Sequence, residues 1–534
     1  SRPLIDNGTQ RTRSVLTPLA LWMATLATWL PWLGNVPLRD WDEGILATVA
    51  RATSQQTGTN WLLALKGVGE PYLNKPPGLH WLIGNSIQIW GEEEWAIRIT
   101  PVLISTFAVP LLVLLRRELS HDERGERSAL LAGVVLMTLL PMARHGRLAM
   151  LDGSLVSCSL MLWLGWLSSR RHAWYAVLAG LGGSGVLLLK PPALIGFAGV
   201  ILVMILLEWS SKRHLRADQR RDKLHLMIKQ RACWLLIGGL PGMAWHLWHG
   251  WWRGLDALVM WGGQGFSRIT TVVEGNQGSW LVPLTEVLEG GWPWLLLLPA
   301  GCRWAWHRRH ERTGLWELGL MAGSAALVLP LQTQLPWYSH LLWPAIALLC
   351  GEGLNQLLIS GHPRWVPFIW TWLGAIALLS GAIAALGLSN AFPPAPLLAA
   401  GTGLLIGGKL LSASQQRKRF QGFVILLIGW GLALLNLWQS RLWLWELNET
   451  WDPRPIASVI RSLPENAAVL LQGPTRPSLE WYAGRSLKRL KTKQPSERHW
   501  LITSKTPSFC TQQTFSPEQD WQLWLCPKQP TSTP

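Results

Sequence analysis

The chain has 534 residues, 49% of them hydrophobic and only 15% charged, and its mean hydropathy is positive. That balance excludes an ordinary soluble domain and leaves a polytopic membrane protein. A net charge of +17 would suit a nucleic-acid binder, but the basic residues lie mostly in short loops between apolar runs, where positive-inside bias places them. The 38 tryptophans against 4 tyrosines read mostly as interfacial anchors and core filler.

The first apolar run, from about Val15 to Leu33, is long enough to cross a bilayer and lacks the small-residue cleavage site of a removable signal. Arg39-Asp40-Trp41-Asp42-Glu43 follows it directly, and Asn74-Lys75-Pro76-Pro77 comes a little later. Asp42 and Glu43 therefore stand where the chain leaves hydrocarbon. Taken alone, they read equally well as the acidic first turn of a helix near Asp42 to Thr57. Gly78 to Trp90 is too short to span and is expected to lie on the surface as an interfacial helix.

The next runs alternate in direction. Arg98 to Leu115 returns to Arg116 and Arg117, Ser128 to Ala143 leaves, and Gly153 to Leu167 returns to Arg170 and Arg171. Ala173 to Leu189 leaves and Pro192 to Trp209 returns to a basic loop, Lys212 to Arg231. Ala232 to His249 leads out to a long loop, residues 250–290, whose basic residues are Arg253 and Arg268. Trp292 to Trp306, Leu315 to Leu331, His340 to Leu358, Val366 to Leu388, Leu397 to Leu411 and Phe420 to Ser440 complete about thirteen spans, with the N-terminus inside and the C-terminus outside.

From about Asp452 the character changes. Ile456 to Leu463 reads as a short amphipathic helix, and Ala468 to Gln472, Trp500 to Thr503 and Trp521 to Leu525 read as strands. The expected organisation is an all-α polytopic domain over 1–450, with loops 39–97 and 250–290 forming the site, followed by a small α/β extracytoplasmic domain over 451–534.

This topology collects Asp42, Glu43, Arg51, Lys75, Arg144, Arg147, Asp152 and Lys190 on one side, at the outer ends of different helices. Each alone could be a solvated loop charge. So many together, in a chain with few charges there, form a site hypothesis. Cations that hold a phosphate make it a better leaving group, and a carboxylate can take a proton from an attacking hydroxyl or amine. The substrate this chemistry fits is a lipid phosphate carrying a sugar. A transporter or lipid-sugar flippase is the alternative, although it favours ionisable residues at the bilayer midplane and broken helices in related halves. A structural scaffold accounts poorly for charge clustered on one face.

The ordered set Trp41-Asp42-Glu43, Pro71-Tyr72-Leu73-Asn74-Lys75-Pro76-Pro77 with Trp81, Gly91, Arg98, and Gly146-Arg147-Leu148-Ala149-Met150-Leu151-Asp152 resembles the bacterial membrane glycosyltransferases of the GT-C fold. The nearest members in pattern are the lipid A aminoarabinose transferases and their relatives in the protein O-mannosyltransferase superfamily. Lys190-Pro191, Leu335-Pro336-Trp337-Tyr338 with Pro344, Pro455-Ile456-Ala457 and Trp481-Tyr482-Ala483-Gly484-Arg485 extend the resemblance over nearly the whole chain. It implies a glycosyltransferase using a polyprenyl-phosphate sugar donor, with a lipid, glycan or protein acceptor, in the bacterial inner membrane. Asp42 would be the carboxylate at the reacting centre, with Glu43 and Asp152 as further site carboxylates. Lys75 and Arg51 would lie near the lipid phosphate, and Tyr72, Arg147, Lys190 and Tyr338 would complete the substrate contacts.

The chain also departs from that pattern. Asn74 stands where the aminoarabinose transferases carry a zinc-binding glutamate, and Trp261-Gly262-Gly263-Gln264 replaces the segment that supplies their histidine. Gln334 replaces a basic residue, and Ile45 an arginine. The family's zinc ligands are thus unmatched, no cofactor is firmly expected, and a divalent metal is left open. Neither aminoarabinose nor lipid A carries over as substrate.

Cys158, Cys233, Cys302 and Cys350 are scattered in or beside apolar runs and match neither a zinc site nor a redox pair. Cys510 and Cys526 both fall in the tail expected outside, where paired cysteines tend to oxidise. A bridge between them would close a loop of about fifteen residues; two buried thiols that never meet are the alternative.

Overall fold

The computed structural model describes residues 6–67, 70–211, 217–272, 279–389, 392–443, 452–473, 476–490, 498–507, 510–515 and 521–527. In chain order its helices are α1 (Asp6–Trp29), α2 (Asp42–Ser54), α3 (Gly78–Trp90), α4 (Glu94–Thr106), α5 (Ala108–Leu119), α6 (Glu123–Thr138), α7 (Leu140–Gly146), α8 (Leu151–Ser168), α9 (Ala176–Leu189), α10 (Pro191–Ser211) and α11 (Ala217–Arg253). There follow α12 (Ser267–Thr270), α13 (Leu281–Gly290), α14 (Leu298–His307), α15 (Arg312–Val328), α16 (Trp343–Ser360), α17 (Trp365–Ala385), α18 (Pro394–Leu411), α19 (Gln416–Gln439), α20 (Arg454–Ser462) and α21 (Pro477–Ala483). The strands are β1 (Leu65–Gly67), β2 (Glu70–Pro71), β3 (Val469–Leu471), β4 (Lys488–Arg489), β5 (His499–Thr503), β6 (Gln512–Phe515) and β7 (Gln522–Cys526).

Each apolar run expected to span contains a helix, although Val15 to Leu33 runs past the end of α1, Ser128 to Ala143 is divided between α6 and α7, and Trp292 to Trp306 begins in a 3₁₀ turn before α14. Among the described residues, six helical stretches are long and apolar enough to cross a membrane: Glu94–Leu119, Leu151–Ser168, Pro191–Ser210, Trp365–Ala385, Pro394–Leu411 and Gln416–Gln439. The pair α6 and α7, bent by 63°, would make a seventh. One expectation is corrected. Most of the basic loop expected from Lys212 to Arg231 is instead the first part of the 37-residue α11, because its Arg, Lys, Gln, Leu and Met residues are good helix formers. Residues 212–216 of that loop lie outside the described residues.

Contacts divide the chain into two compact units. The first comprises Ser1–Leu33, Leu73–Leu79 and Arg98–Trp443; the second comprises Gly34–Tyr72, His80–Ile97 and Leu444–Pro534.

In the first unit, the bend between α6 and α7 shows how the tryptophans are used. Pro141 has no N–H to give to the Met137 carbonyl one turn back, and that carbonyl instead accepts the Trp29 indole N–H at 2.9 Å. The Thr138 carbonyl accepts the Trp430 indole at 2.9 Å, and the Thr138 hydroxyl accepts the Trp294 indole at 2.9 Å. These indoles are therefore core cross-links, two to backbone carbonyls at a kink and one to a hydroxyl beside it, more than interfacial anchors. Away from the bend, Arg116 joins three helices, paired with Glu317 at 2.8 Å and donating to Glu352 at 2.5 Å, both fully buried. A charge set of this kind fixes the mutual register of α5, α15 and α16, since removing one partner would strand the others.

In the second unit, the tail strands form a five-stranded sheet in the order β4-β3-β5-β7-β6. β3 runs parallel to β4 and β5, while β7 is antiparallel to β5 and β6. Side chains alternate across it. Val469, Leu471, Ile502 and Leu523 face Ile456 and Ile460 of α20 and Leu479 of α21. Leu470, Leu501 and Trp524 face the other way, packed with Cys510 and Cys526. Those cysteines are disulfide-bonded, with Cα atoms 4.4 Å apart, so the pairing expected from compartment and position is the one observed.

Candidate active site

The second unit carries Asp42, Glu43, Arg51 and Tyr72. Trp41 caps the N-terminal end of α2 with φ 58° and ψ −86°, a left-handed backbone that a bulky residue adopts only under strain. Such strain is stored next to Asp42, which opens the helix half-buried. Glu43 is wholly buried and accepts the Arg39 backbone N–H at 2.8 Å. Its carboxylate thus satisfies a donor ahead of the helix and favours the positive end of the dipole. Of the two neighbours, Asp42 keeps the more open position and Glu43 has an anchoring contact.

The tail motif beginning at Trp481 holds this segment. The Arg51 guanidinium stacks 4.4 Å from the Trp481 ring centre, donates to the Trp481 carbonyl at 3.1 Å and pairs with Glu92 at 3.2 Å. Asp40 accepts from Arg476 at 2.9 Å and from the Ser478 hydroxyl at 2.9 Å. The Tyr482 hydroxyl accepts the Leu38 N–H at 2.8 Å and donates to Glu94 at 2.9 Å. A Cβ on Gly44 would fall 2.4 Å from the Ser478 nitrogen, so only glycine lets α2 approach α21 this closely. Tyr72 meets His80 edge-on with ring centres 5.5 Å apart. Asp40, Glu94 and Arg476 were missed from sequence; their partners lie hundreds of residues away, and no local pattern announces them.

The first unit carries Lys75, Arg147, Asp152, Lys190 and Tyr338. A Cβ on Gly78 would meet the Leu188 carbonyl at 2.7 Å. That close approach brings the Asn74-Lys75-Pro76-Pro77 turn to the end of α9, so Lys75 and Lys190 are carried by adjoining segments. The Lys190 ammonium stands 4.4 Å from the centre of the Tyr338 ring. Arg268 donates to the Tyr338 hydroxyl at 2.8 Å, and the Arg268 carbonyl accepts from the Gln332 and Thr333 N–H groups at 3.1 Å each. Tyr338 lies in the short 3₁₀ helix Pro336–Leu341, which packs on α7 and α8 and so lies beside the start of α8 that carries Asp152. Asp152 itself sits half-buried in the first turn of α8.

Arg268 belongs with this group although sequence reading used it only as one of the basic residues of the 250–290 loop. Being one of two cations in that loop was the available signal. Arg144, His145 and His340 are buried at the same place. The two histidine rings meet edge to face at 4.4 Å, and each has a ring nitrogen 3.2 Å from the Pro141 carbonyl. Glu286 of α13 has its carboxyl pushed above the usual range by burial, with the Arg144 charge pulling against it.

Arg147 is committed elsewhere. Fully buried, it donates to the carbonyls of Trp29, of Pro31 at 2.8 Å and of Trp32 at 3.4 Å, with its guanidinium 4.5 Å and 4.8 Å from the Trp438 and Trp443 ring centres. It caps the negative end of α1. Among the described residues, no three His, Cys, Asp or Glu side chains are grouped so as to hold a metal ion. Asn74 is exposed in its turn.

Residues 74–219 match the family described as dolichyl-phosphate-mannose-protein mannosyltransferase. The chain is 25% identical over 336 residues to undecaprenyl phosphate-alpha-4-amino-4-deoxy-L-arabinose arabinosyl transferase 1 of Pseudomonas fluorescens, covering 60% of this chain and 56% of that relative. Its likeness to the corresponding transferase of Pseudomonas aeruginosa is 26% over 394 residues, 71% of this chain and 64% of the relative. The matches therefore span between about half and two thirds of these relatives' own length. The crystal structure of ArnT from Cupriavidus metallidurans bound to undecaprenyl phosphate superposes with a TM-score of 0.70 at 16% identity, over 95% of this chain and 97% of that one. Its apo form superposes with a TM-score of 0.66. The chain has the fold of these transferases, the GT-C architecture expected from its motifs.

Proposed function

We propose that this chain transfers a sugar from a polyprenyl-phosphate donor to a lipid, glycan or protein acceptor at the outer face of a bacterial inner membrane. The fold is that of an enzyme crystallised with undecaprenyl phosphate. The observation that carries the reading is the grouping of Lys190, Tyr338 and Arg268 at the end of the bundle where Asp152 opens α8 and the Lys75 turn meets α9. Cations held in place before the reaction stabilise charge that develops on a departing phosphate.

In this reading the acceptor O–H or N–H gives its proton to the Asp42 carboxylate as the heteroatom attacks the anomeric carbon. The bond from that carbon to the phosphate oxygen breaks, and its electron pair stays on the polyprenyl phosphate. Lys75, Lys190 and Arg268 neutralise the phosphate, Asp152 orients the sugar or acceptor, and Tyr72 is a further substrate contact. Glu43, Arg51 and Arg147 act through position: Glu43 sets the start of α2, Arg51 holds the tail to it, and Arg147 fixes α1. With Asn74 in the place of a zinc-binding glutamate, charge neutralisation falls to the cations. The reading also places thirteen spans in the membrane, with residues 451–534 as an α/β domain outside.

Mass spectrometry of lipid-linked sugars and envelope glycans in a deletion strain tests this. A polyprenyl-phosphate sugar should accumulate, with one glycan or lipid losing a sugar. An unchanged profile of both would overturn the proposal.

A further inference from the structure

At the far end of α8 from Asp152, arginines converge around one carboxylate. Arg170, just past α8, pairs with Glu208 of α10 at 2.6 Å, and Arg312 at the start of α15 lies 3.9 Å from the same carboxylate. The Trp316 indole also donates to Glu208, at 2.6 Å. Arg231 of α11 is 9% exposed, with its guanidinium 5.3 Å from the Trp166 ring centre. Burial pulls the Arg231 pKa down to about 10, the nearby Arg170 charge adding to the pull and Glu208 opposing it. Arg312 is lowered in the same way, by burial and then by Arg170.

Arg170 thus stands electrostatically near both Arg231 and Arg312, with Glu208 opposing at each and Glu118 also at Arg312, so three guanidiniums outnumber the two carboxylates. Two of their nitrogens, Nη1 of Arg170 and Nη1 of Arg231, are buried without a hydrogen-bond partner among the described residues. Buried donors of this strength are ordinarily matched. Arginine forks match phosphate oxygens in geometry and charge. The group sits where α8 and α10, both apolar enough to cross a membrane, end, beside the buried rings of Trp166 and Trp316; the ends of spans are where anionic lipid headgroups meet basic side chains.

We propose that Arg170, Arg231 and Arg312 form an anion site, separate from the sugar-transfer site, that takes a phosphate group: the phosphodiester of an anionic phospholipid or free phosphate. Glu208 holds Arg170 in place and competes with the anion for it. The residues that carry this inference take no part in the transfer chemistry, so it stands or falls without that reading.

The test uses the full chain. It is purified in zwitterionic detergent and reconstituted in nanodiscs of phosphatidylcholine with or without phosphatidylglycerol. Native mass spectrometry reads retained phosphatidylglycerol. Thermal unfolding in inorganic phosphate, against chloride at equal ionic strength, reads free phosphate. Retention of phosphatidylglycerol without a phosphate effect identifies the lipid as ligand; stabilisation by phosphate alone identifies the free ion. Either supports the site. Arg231→Gln should weaken the effective probe about tenfold, the loss of one charge-assisted contact. Glu208→Gln should strengthen it, a gain that no folding defect produces. Binding of neither probe above its baseline, or equal binding in wild type and both variants, would overturn the site.

Discussion

The Lys190 ammonium lies 4.4 Å from the centre of the Tyr338 ring, and the hydroxyl of that same ring is held by Arg268 at 2.8 Å. One tyrosine therefore meets two cations, one at its ring and one at its hydroxyl. Tyr338→Phe keeps the ring under Lys190 and removes the Arg268 contact. A hydrogen bond to a charged group contributes about 1.5–3 kcal/mol. We expect donor KM to rise tenfold or more while the fold is kept, as read in an assay with purified protein and polyprenyl-phosphate sugar. An unchanged KM would remove Arg268 from the donor site.

Asp42→Asn should reduce turnover by at least about a hundredfold, the usual worth of a positioned base, with donor binding retained. Asp42 stands half-buried behind a strained Trp41, whereas Glu43 is occupied by the Arg39 N–H. Glu43→Gln should therefore act on thermal stability first. Turnover of Asp42→Asn near that of wild type would show that another group takes the proton.

Lys75→Ala should weaken donor use more than Lys75→Arg does, because a phosphate contact needs positive charge even where the geometry of the fork differs. Donor titrations of both variants decide this. Equal, normal donor use in both would make Lys75 a residue of the turn alone.

Glu286 gives a pH test. Burial, with Glu289 adding, raises its folded pKa against the opposing pull of Arg144. The folded state then holds the proton more tightly than the unfolded state. The associated stability is complete below the unfolded value of about 4.3 and is lost as pH rises through the folded value. Glu286→Gln should consequently raise Tm at neutral pH and leave it unchanged near pH 4. A lower Tm at neutral pH would show that attraction to Arg144 outweighs burial.

The Cys510–Cys526 bridge spans a sequence separation of 16, and on chain-entropy grounds a loop of that size stabilises the fold by about 3 kcal/mol. Replacing both cysteines by serine should lower the unfolding free energy of the tail by about that amount, read as an earlier unfolding midpoint. Alkylation of intact cells with and without reductant, followed by mass measurement of tail peptides, checks the compartment. Free thiols reachable only after lysis would place the tail inside.

The amino-acid sequence by itself determined where the apolar helices form, because an apolar run of sufficient length is a local property; the basic stretch before Arg231, read as a loop, is helix as the start of α11. Gly78 to Trp90 was set as one short helix, and the tail strands at 469–471, 499–503 and 522–526 fell within a residue or two of their alternating patterns. It also marked Asp42, Lys75, Asp152 and Lys190, since charge is scarce at the ends of such runs. Only the tertiary structure decided what each charge touches. Arg147 and Arg268 look alike in sequence, both arginines beside helices, but Arg147 is used up by the carbonyls at the end of α1 while Arg268 reaches Tyr338. Asp40 meets Arg476 across a separation of 436 residues, a contact made by packing α21 against α2. The physical reason is range: hydropathy and helix propensity act over one or two turns, whereas a guanidinium finds its partner through whichever backbone the rest of the fold delivers.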